Sequence, residues 1–417
     1  MADKEKRWKD HLKEWKEQLK EKEFSHWCWI GILTAAGVLA GQLIGQGDIW
    51  RELRYRVYHF ETTKLHPTRP LDLHAAFVLV GDDDYWTGGL ARRIPIKRDY
   101  LASLLRAVDK ADAAVVALDF DLRSPTPDGS LIENPDYSCE RDELVQAIKE
   151  VAENRPVVIP KSLVPAGPDQ AGIPKEVSDI FGSDLNGVKN VFPGYIQFAP
   201  DLRVIPARLP IDGQQEPMDS FAFAILHAYS PNMYEGFVKE EQEGGKGAEI
   251  LIRYGSFLNE SSFSKLSYSA RDVLARNPDV LRRLNHQIVL VGGKWHRDGF
   301  GAGEWNDEHL TPAGKMVGVY THANYAEALR VGRSYPEIPE SKVILVEVLL
   351  VLGASVALAL KVKKVWKIAA IISPSVVMAF VSYFFLQNLG LFFDFFIPMC
   401  VLIVHNILDH LEWKKSA

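Results

Sequence analysis

The chain has 417 residues, enough for two or three domains or for one domain with membrane spans. A net charge of −6 excludes a basic nucleic-acid surface, so no nucleic-acid partner is expected. Three cysteines, Cys28, Cys139 and Cys400, show neither a CxxC nor a framework spacing, which excludes a disulfide scaffold and a zinc site; no metal and no other cofactor is expected.

Residues 1–23 hold eight Lys/Arg and seven Asp/Glu, with Trp8, Leu12, Trp15 and Leu19 forming one apolar stripe. The pattern predicts a cytoplasmic amphipathic helix. A helix lying on a membrane surface, a short coiled-coil seam and a solvated extension all fit it. Residues 24–46, "FSHWCWIGILTAAGVLAGQLIGQ", are long enough to cross a hydrocarbon core of about 30 Å, which takes roughly 20 helical residues. No small-residue cleavage site closes the run, so it reads as a retained anchor. Gly37, Gly41 and Gly45 stand four apart on one face. Small residues at that spacing let helix backbones approach in lipid, so this face is expected to pack against another span or against a second copy of the chain.

Residues 47–341 alternate buried strands with helices. Strands are predicted in "HAAFVLVGDDD" (74–84), "AAVVALDFDLRSP" (113–125), "RPVVIP" (155–160), "AEILIRY" (248–254) and "NHQIVLVGG" (285–293). Helices are predicted over 98–111, 139–154, 220–229 and from Val319 toward 333, and the alternation in 189–211 predicts an antiparallel hairpin around "APD". The expected fold is α/β: a mixed, mostly parallel sheet with helices on both faces in an extracytoplasmic domain.

Three apolar runs follow, giving spans at 342–362, 365–386 and 389–408 and a tail at 409–417. "KVKKVWK" (361–367) carries four lysines and the tail two, which places both on the cytoplasmic side, while "QNLG" carries none. Four spans in all put both termini in the cytoplasm and residues 47–341 outside. Glu347 and Asp394 lie about one turn from the outer surface on this topology, where snorkelling to water suffices to explain them.

In a sheet of this kind ligands gather outside the carboxyl ends of the strands. That places Asp82, Asp84, Asp119, Asp121 and Lys294 as candidate ligand-binding residues, with Asp83, Lys161, Gly292 and Gly293 beside them. Asp119 and Asp121, two apart on a strand, are expected to point the same way, and paired carboxylates can hold a divalent cation or divide acid and base roles. "LDFDLR" nevertheless lacks the small Gly-Thr or Thr/Val continuation of an aspartyl phosphotransferase, and G-x-S-x-G, H-E-x-x-H and P-loop signatures are missing. No catalytic residue is assigned. His296, His309 and His322 are not at ligand spacing, and His322 is expected to serve helix packing.

Several segments together resemble the CHASE type-2 domain, a sensory extracellular domain. They are "FVLVGDDD", "PIKRDYLASLLRAVDKADAAVVALDFDLRSP", "FSKLSYSARDVL", "RRLNHQIVLVGGKWHRDGFGAG" and "DEHLTPAGKMVGVYTHANYAEALRVGRSY". One span before and three after match as well. The resemblance implies a bacterial inner-membrane receptor with a periplasmic or extracellular sensor domain, usually followed by a kinase or cyclase. Here the chain ends nine residues after Leu408, so the expectation is a sensor subunit without its own output domain. It would signal through helix packing to a separate effector protein, in contact with the lipid bilayer and with an unknown small-molecule or envelope ligand. The alternatives are a metal-dependent, membrane-anchored periplasmic enzyme using Asp119 and Asp121, and a structural docking subunit.

Overall fold

The computed structural model describes residues 48–64, 73–90, 92–124, 135–164, 173–243, 250–255, 259–336 and 379–392, with Ile32 and four isolated positions between 345 and 352. The Gly37–Gly41–Gly45 face, residues 1–23 and nearly all of the four expected spans lie outside these residues, apart from a helix over 379–389. Among the described residues, no helix is long and apolar enough to cross a membrane. The chain divides into two units, one of Tyr55–Glu337 and one of Met1–Arg54 with Ile338–Ala417.

The unit Tyr55–Glu337 takes in most of a helix, α1 (Asp48–Thr63), and begins its sheet with β1 (Ala75–Gly81), the single-turn helix α2 (Asp82–Tyr85), α3 (Arg98–Asp109) and β2 (Val115–Asp119). Next come α4 (Pro135–Asn154), β3 (Val157–Lys161), β4 (Leu163–Val164), β5 (Lys175–Glu176), β6 (Val191–Tyr195), β7 (Val204–Pro206), β8 (Arg208–Leu209) and β9 (Met218–Asp219). The helices α5 (Phe221–Tyr229) and α6 (Pro231–Glu243) lead to β10 (Ile250–Arg253), α7 (Glu260–Ser264), β11 (Ser267–Ser269), α8 (Ala270–Leu274) and α9 (Pro278–Leu284). The unit closes with β12 (Ile288–Lys294), β13 (Glu308–Thr311), β14 (Gly314–Val317), α10 (Gly318–Arg330) and β15 (Ser334–Pro336).

Six strands form the main sheet in the order β11–β1–β12–β2–β3–β6, with each neighbouring pair parallel. The expectation of a mostly parallel sheet with helices on both faces therefore holds. The expected hairpin over 189–211 does not form: β6 pairs with β3 in the main sheet, whereas β7 pairs antiparallel with β10 in a separate sheet, β15–β10–β7. Period-two alternation reports which faces are covered and not which strand is the partner, so it cannot tell a hairpin from two strands of different sheets.

The strands read as continuous apolar runs because both faces are covered. Ala76, Val78, Val80, Val116, Leu118, Val289 and Val291 face α3, α4, α8 and α9. The alternate positions Ala75, Phe77, Val115, Ala117, Ile288 and Leu290 face α5 and α10. Phe77 is fully buried, edge-on to Phe263 at 5.0 Å and Tyr320 at 4.8 Å between ring centroids.

Local chemistry sets the helix ends. Ser220 Oγ accepts from the Phe223 N–H at 3.2 Å and caps α5. Asn277 caps α9 ahead of Pro278. Gly332, at φ +75°, ends α10, and its N–H and that of Arg333 close back on Leu329 and Ala328 carbonyls. All residues of α10 from Gly318 to Leu329 are buried, so this helix is apolar on every side except where named polar groups meet partners.

One such partner starts the sheet. Glu327 Oε1 accepts from the His74 N–H at 2.8 Å and the Ala75 N–H at 2.9 Å, satisfying two backbone donors at the head of β1. Its Oε2 accepts from Arg330 Nε at 2.8 Å, so a carboxylate that is 1 % exposed is held by three donors.

A cleft at the carboxyl edge of the parallel sheet

β1, β12, β2 and β3 end side by side, which brings Asp82, Lys294, Asp119 and Lys161 to one edge as expected. Most of these groups are occupied by protein partners. Asp82 Oδ1 accepts from the His296 N–H at 2.7 Å; Oδ2 lies 2.6 Å from His296 Nδ1 and accepts from the Gly301 N–H at 3.1 Å. Burial works against ionisation of Asp82, yet these hydrogen bonds hold its pKa below the usual carboxylate value. Asp82 thus ties the loop after β12 to the end of β1. Asp84 is buried and accepts from the Gly81 N–H at 3.3 Å across the first turn of α2.

Lys294 Nζ reaches Glu260 at 2.6 Å and lies over the rings of Trp305 (4.9 Å) and Tyr320 (5.3 Å). Lys161 Nζ contacts Asp179 at 2.5 Å and Glu176 at 2.9 Å; burial alone would lower its pKa, but the two carboxylates raise it. Gly292 and Gly293 serve packing. A Cβ on Gly292 would meet Val319 Cβ at 2.8 Å, and one on Gly293 would lie 2.3 Å from the Trp295 ring.

Asp119 and Asp121 do not act as the expected pair. β2 ends at Asp119, so the pleat that would align them stops there. Asp119 turns inward, with its side chain 8 % exposed, while Asp121 is 46 % exposed and bonded to Arg123 Nε at 2.9 and 2.8 Å. Both still border one cavity of about 750 Å³, whose walls include Tyr85, Arg98, Trp295 and Asp307. Tyr85 stacks on Trp295 with centroids 4.5 Å apart.

The floor of this cleft holds an unusual polar group. Burial, reinforced by nearby Asp307, raises the Asp119 pKa well above the usual carboxylate value. His322 Nε2 lies 3.8 Å from Asp119 Oδ1, and burial lowers the His322 pKa to about 3. Burial thus disfavours the charged form of both groups, and a carboxyl pushed toward its protonated form faces a neutral imidazole. His322 is also packed by Phe198 (4.4 Å, stacked) and Phe221 (5.0 Å), which agrees with its expected packing role. Asp307 is enclosed by protein, yet 52 % of its side chain is accessible, the combination a group lining an open cleft must show. Burial opposes its ionisation, but the hydrogen bonds with His309 at 2.8 Å and with the Gly318 N–H at the start of α10 hold its pKa below the usual carboxylate value. A Cβ on Gly318 would stand 2.0 Å from Asp307 Oδ2, so glycine is needed for this approach.

Arg98, Asp307, Gln197 and Trp295 were not singled out from the sequence. For Arg98 a signal existed: it shares the helical face of Leu101, Ala102 and Leu105, all buried, so a charged residue stands on the apolar stripe of α3. Asp307 and Gln197 lie in loops, where no periodicity marks them. Among the described residues no cluster of three or more His, Cys, Asp or Glu could hold a metal ion.

A parallel sheet covered on both faces, with a cleft at its carboxyl edge, defines an α/β domain. The CHASE2 domain family model matches residues 32–360, well over half of the chain, and the protein belongs to that family of extracellular sensor domains. No curated protein and no solved structure matches the chain.

Proposed function

We propose that the protein is a membrane-anchored sensor whose ligand site is the cleft floored by Asp119 and Asp307. In this reading residues 24–46, 342–362, 365–386 and 389–408 span the membrane, both termini are cytoplasmic, and the sensor domain lies in the periplasm or outside the cell. A partner effector receives the signal. The observation that carries the reading is the position of α10. Its first turn meets the cleft at Asp307, His322 on its second turn meets Asp119, and the chain runs on from its far end toward 342–362. A ligand that contacts Asp307 or Asp119 more favourably in one arrangement of α10 than in another shifts that equilibrium by its differential affinity.

The test is purification of the full-length protein from native membranes in mild detergent, as wild type and as Asn306→Trp, which fills the mouth of the cleft. Mass spectrometry should find a small molecule retained by the wild type and lost from the variant, with a changed recovery of one effector protein. Identical small molecules and identical partners in both preparations would overturn the reading. Reporter fusions at residues 200 and 363 test the topology: the first should be active outside the cytoplasm and the second inside.

A further inference from the structure

The ligand's chemistry can be read from one side chain of the cleft, on the reading that the cleft is the ligand site. Arg98, the first residue of α3, is fully buried and borders the cavity. Its Nη1 donates to the Ile96 carbonyl, and the guanidinium lies 5.6 Å from the centre of the Tyr137 ring. Nε and Nη2 have no hydrogen-bond partner in the protein. A buried guanidinium with two donors that no protein acceptor matches is costly.

The surrounding charges are committed elsewhere. Glu140, the nearest carboxylate, is bonded to Arg93 and accepts from the Arg98 backbone N–H at 3.2 Å, not from its guanidinium. Asp121 is held by Arg123, and Asp307 by His309. Asp119 faces His322. Among the described arginines of the cleft wall, Arg98 is thus the one whose guanidinium has no carboxylate bonded to it. The two unused groups, Nε–H and Nη2–H, lie on the same edge of the guanidinium plane and point in parallel, the spacing of the two oxygens of a carboxylate. Gln197, also at the wall, has an unpartnered Oε1, and the stacked Tyr85–Trp295 pair offers an apolar face.

We propose that the cleft binds a small organic monocarboxylate, with its two oxygens on Arg98 Nε and Nη2 and its apolar body against Tyr85 and Trp295. One negative charge neutralises Arg98, and Gln197 can accept from a hydroxyl or amide of the same ligand. The phosphate group would also fit the fork, but brings a second charge for which no uncommitted cation is seen among the described wall residues.

The experiment uses the full-length protein in lipid nanodiscs at fixed ionic strength, titrated calorimetrically with acetate, benzoate and inorganic phosphate. Benzoate should bind more tightly than acetate, and both more tightly than phosphate. Arg98→Met should weaken benzoate by at least about tenfold, the loss of a charge-assisted pair, and Arg98→Lys should fall between, keeping the charge without the fork. Arg282→Met, on the exposed surface of α9, should bind as the wild type does. Because Arg98→Met removes a buried unpaired charge, it should fold; should it not, Arg98→Lys carries the comparison. Tighter binding of phosphate than of benzoate would overturn the carboxylate assignment and leave the cleft as a ligand site. Binding unchanged in both Arg98 variants, or no binding of any of the three anions, would overturn Arg98 as an anion site. The Asn306→Trp comparison judges the sensor reading separately.

Discussion

Replacing Asp119 with asparagine should expose a pH dependence that the wild type conceals. His322 titrates near 6.5 when unfolded and near 3 when folded. Between those values the unfolded chain takes up a proton that the folded one refuses, so this group makes stability fall as pH falls from 6.5 toward 3. Asp119 has the opposite sign. Its folded pKa lies well above the 3.8 of the unfolded carboxyl, so stability falls as pH rises above 3.8 toward the folded value. Where both groups titrate differently in the two states, the proton the unfolded chain gains on His322 is offset by the one it loses from Asp119, so the two effects oppose each other. The amide of the Asp119→Asn variant keeps the shape but cannot titrate. The His322 contribution then stands alone at about 1.36 kcal/mol per pH unit, or about 2 kcal/mol lost at pH 5 relative to pH 7. At pH 7 the variant should also be more stable than the wild type, since it no longer carries a carboxyl whose ionised form burial disfavours. Urea unfolding of the full-length protein in nanodiscs, repeated from pH 4.5 to 7.5, measures both effects. A variant whose stability stays parallel to the wild type across the whole range from pH 4.5 to 6.5 would refute the opposed titrations of Asp119 and His322.

Glu327→Ala leaves the part-buried His74 N–H and the buried Ala75 N–H without acceptors and should cost roughly 3–5 kcal/mol. Hydrogen exchange should show the amides of residues 74 and 75 losing protection, and retained protection at both would refute the role. Gly194→Ala places a Cβ 2.7 Å from Phe221 Cα and 2.9 Å from Ala224 Cβ, so α5 must shift away from β6; a loss of about 1–3 kcal/mol is expected in the same unfolding assay. Asp82→Ala removes its three contacts with the loop after β12, so limited proteolysis within residues 296–303 should accelerate, with cleavage elsewhere unchanged. Because the folded Asp82 pKa is depressed, its stabilisation is present above 3.8 and is lost as pH falls below that value, a component the variant should lack.

The sequence by itself determined the elements whose period is local. Runs such as "AAFVLVG" and "QIVLVGG" could only be strands covered on both faces, and "RDYLASLLRAVD" could only be a helix with one buried side. Those readings, with the strand-end rule, also located the edge where the cleft lies. Family membership was legible in the order of the segments, from "FVLVGDDD" to "YTHANYAEAL". Strand partners were not legible, because a β-strand's pattern records its faces and leaves its neighbours open; β6 and β7 therefore went to different sheets. The roles of the acidic residues were decided only in three dimensions. Asp82, Asp84, Asp119 and Asp121 look alike in the chain. Asp82 meets the backbone of a loop more than 200 residues away, Asp121 meets Arg123, and Asp119 meets a buried imidazole from α10. A carboxylate's charge state and availability depend on the partners and the dielectric around it, and both arise from segments distant in sequence, so tertiary packing alone assigns them.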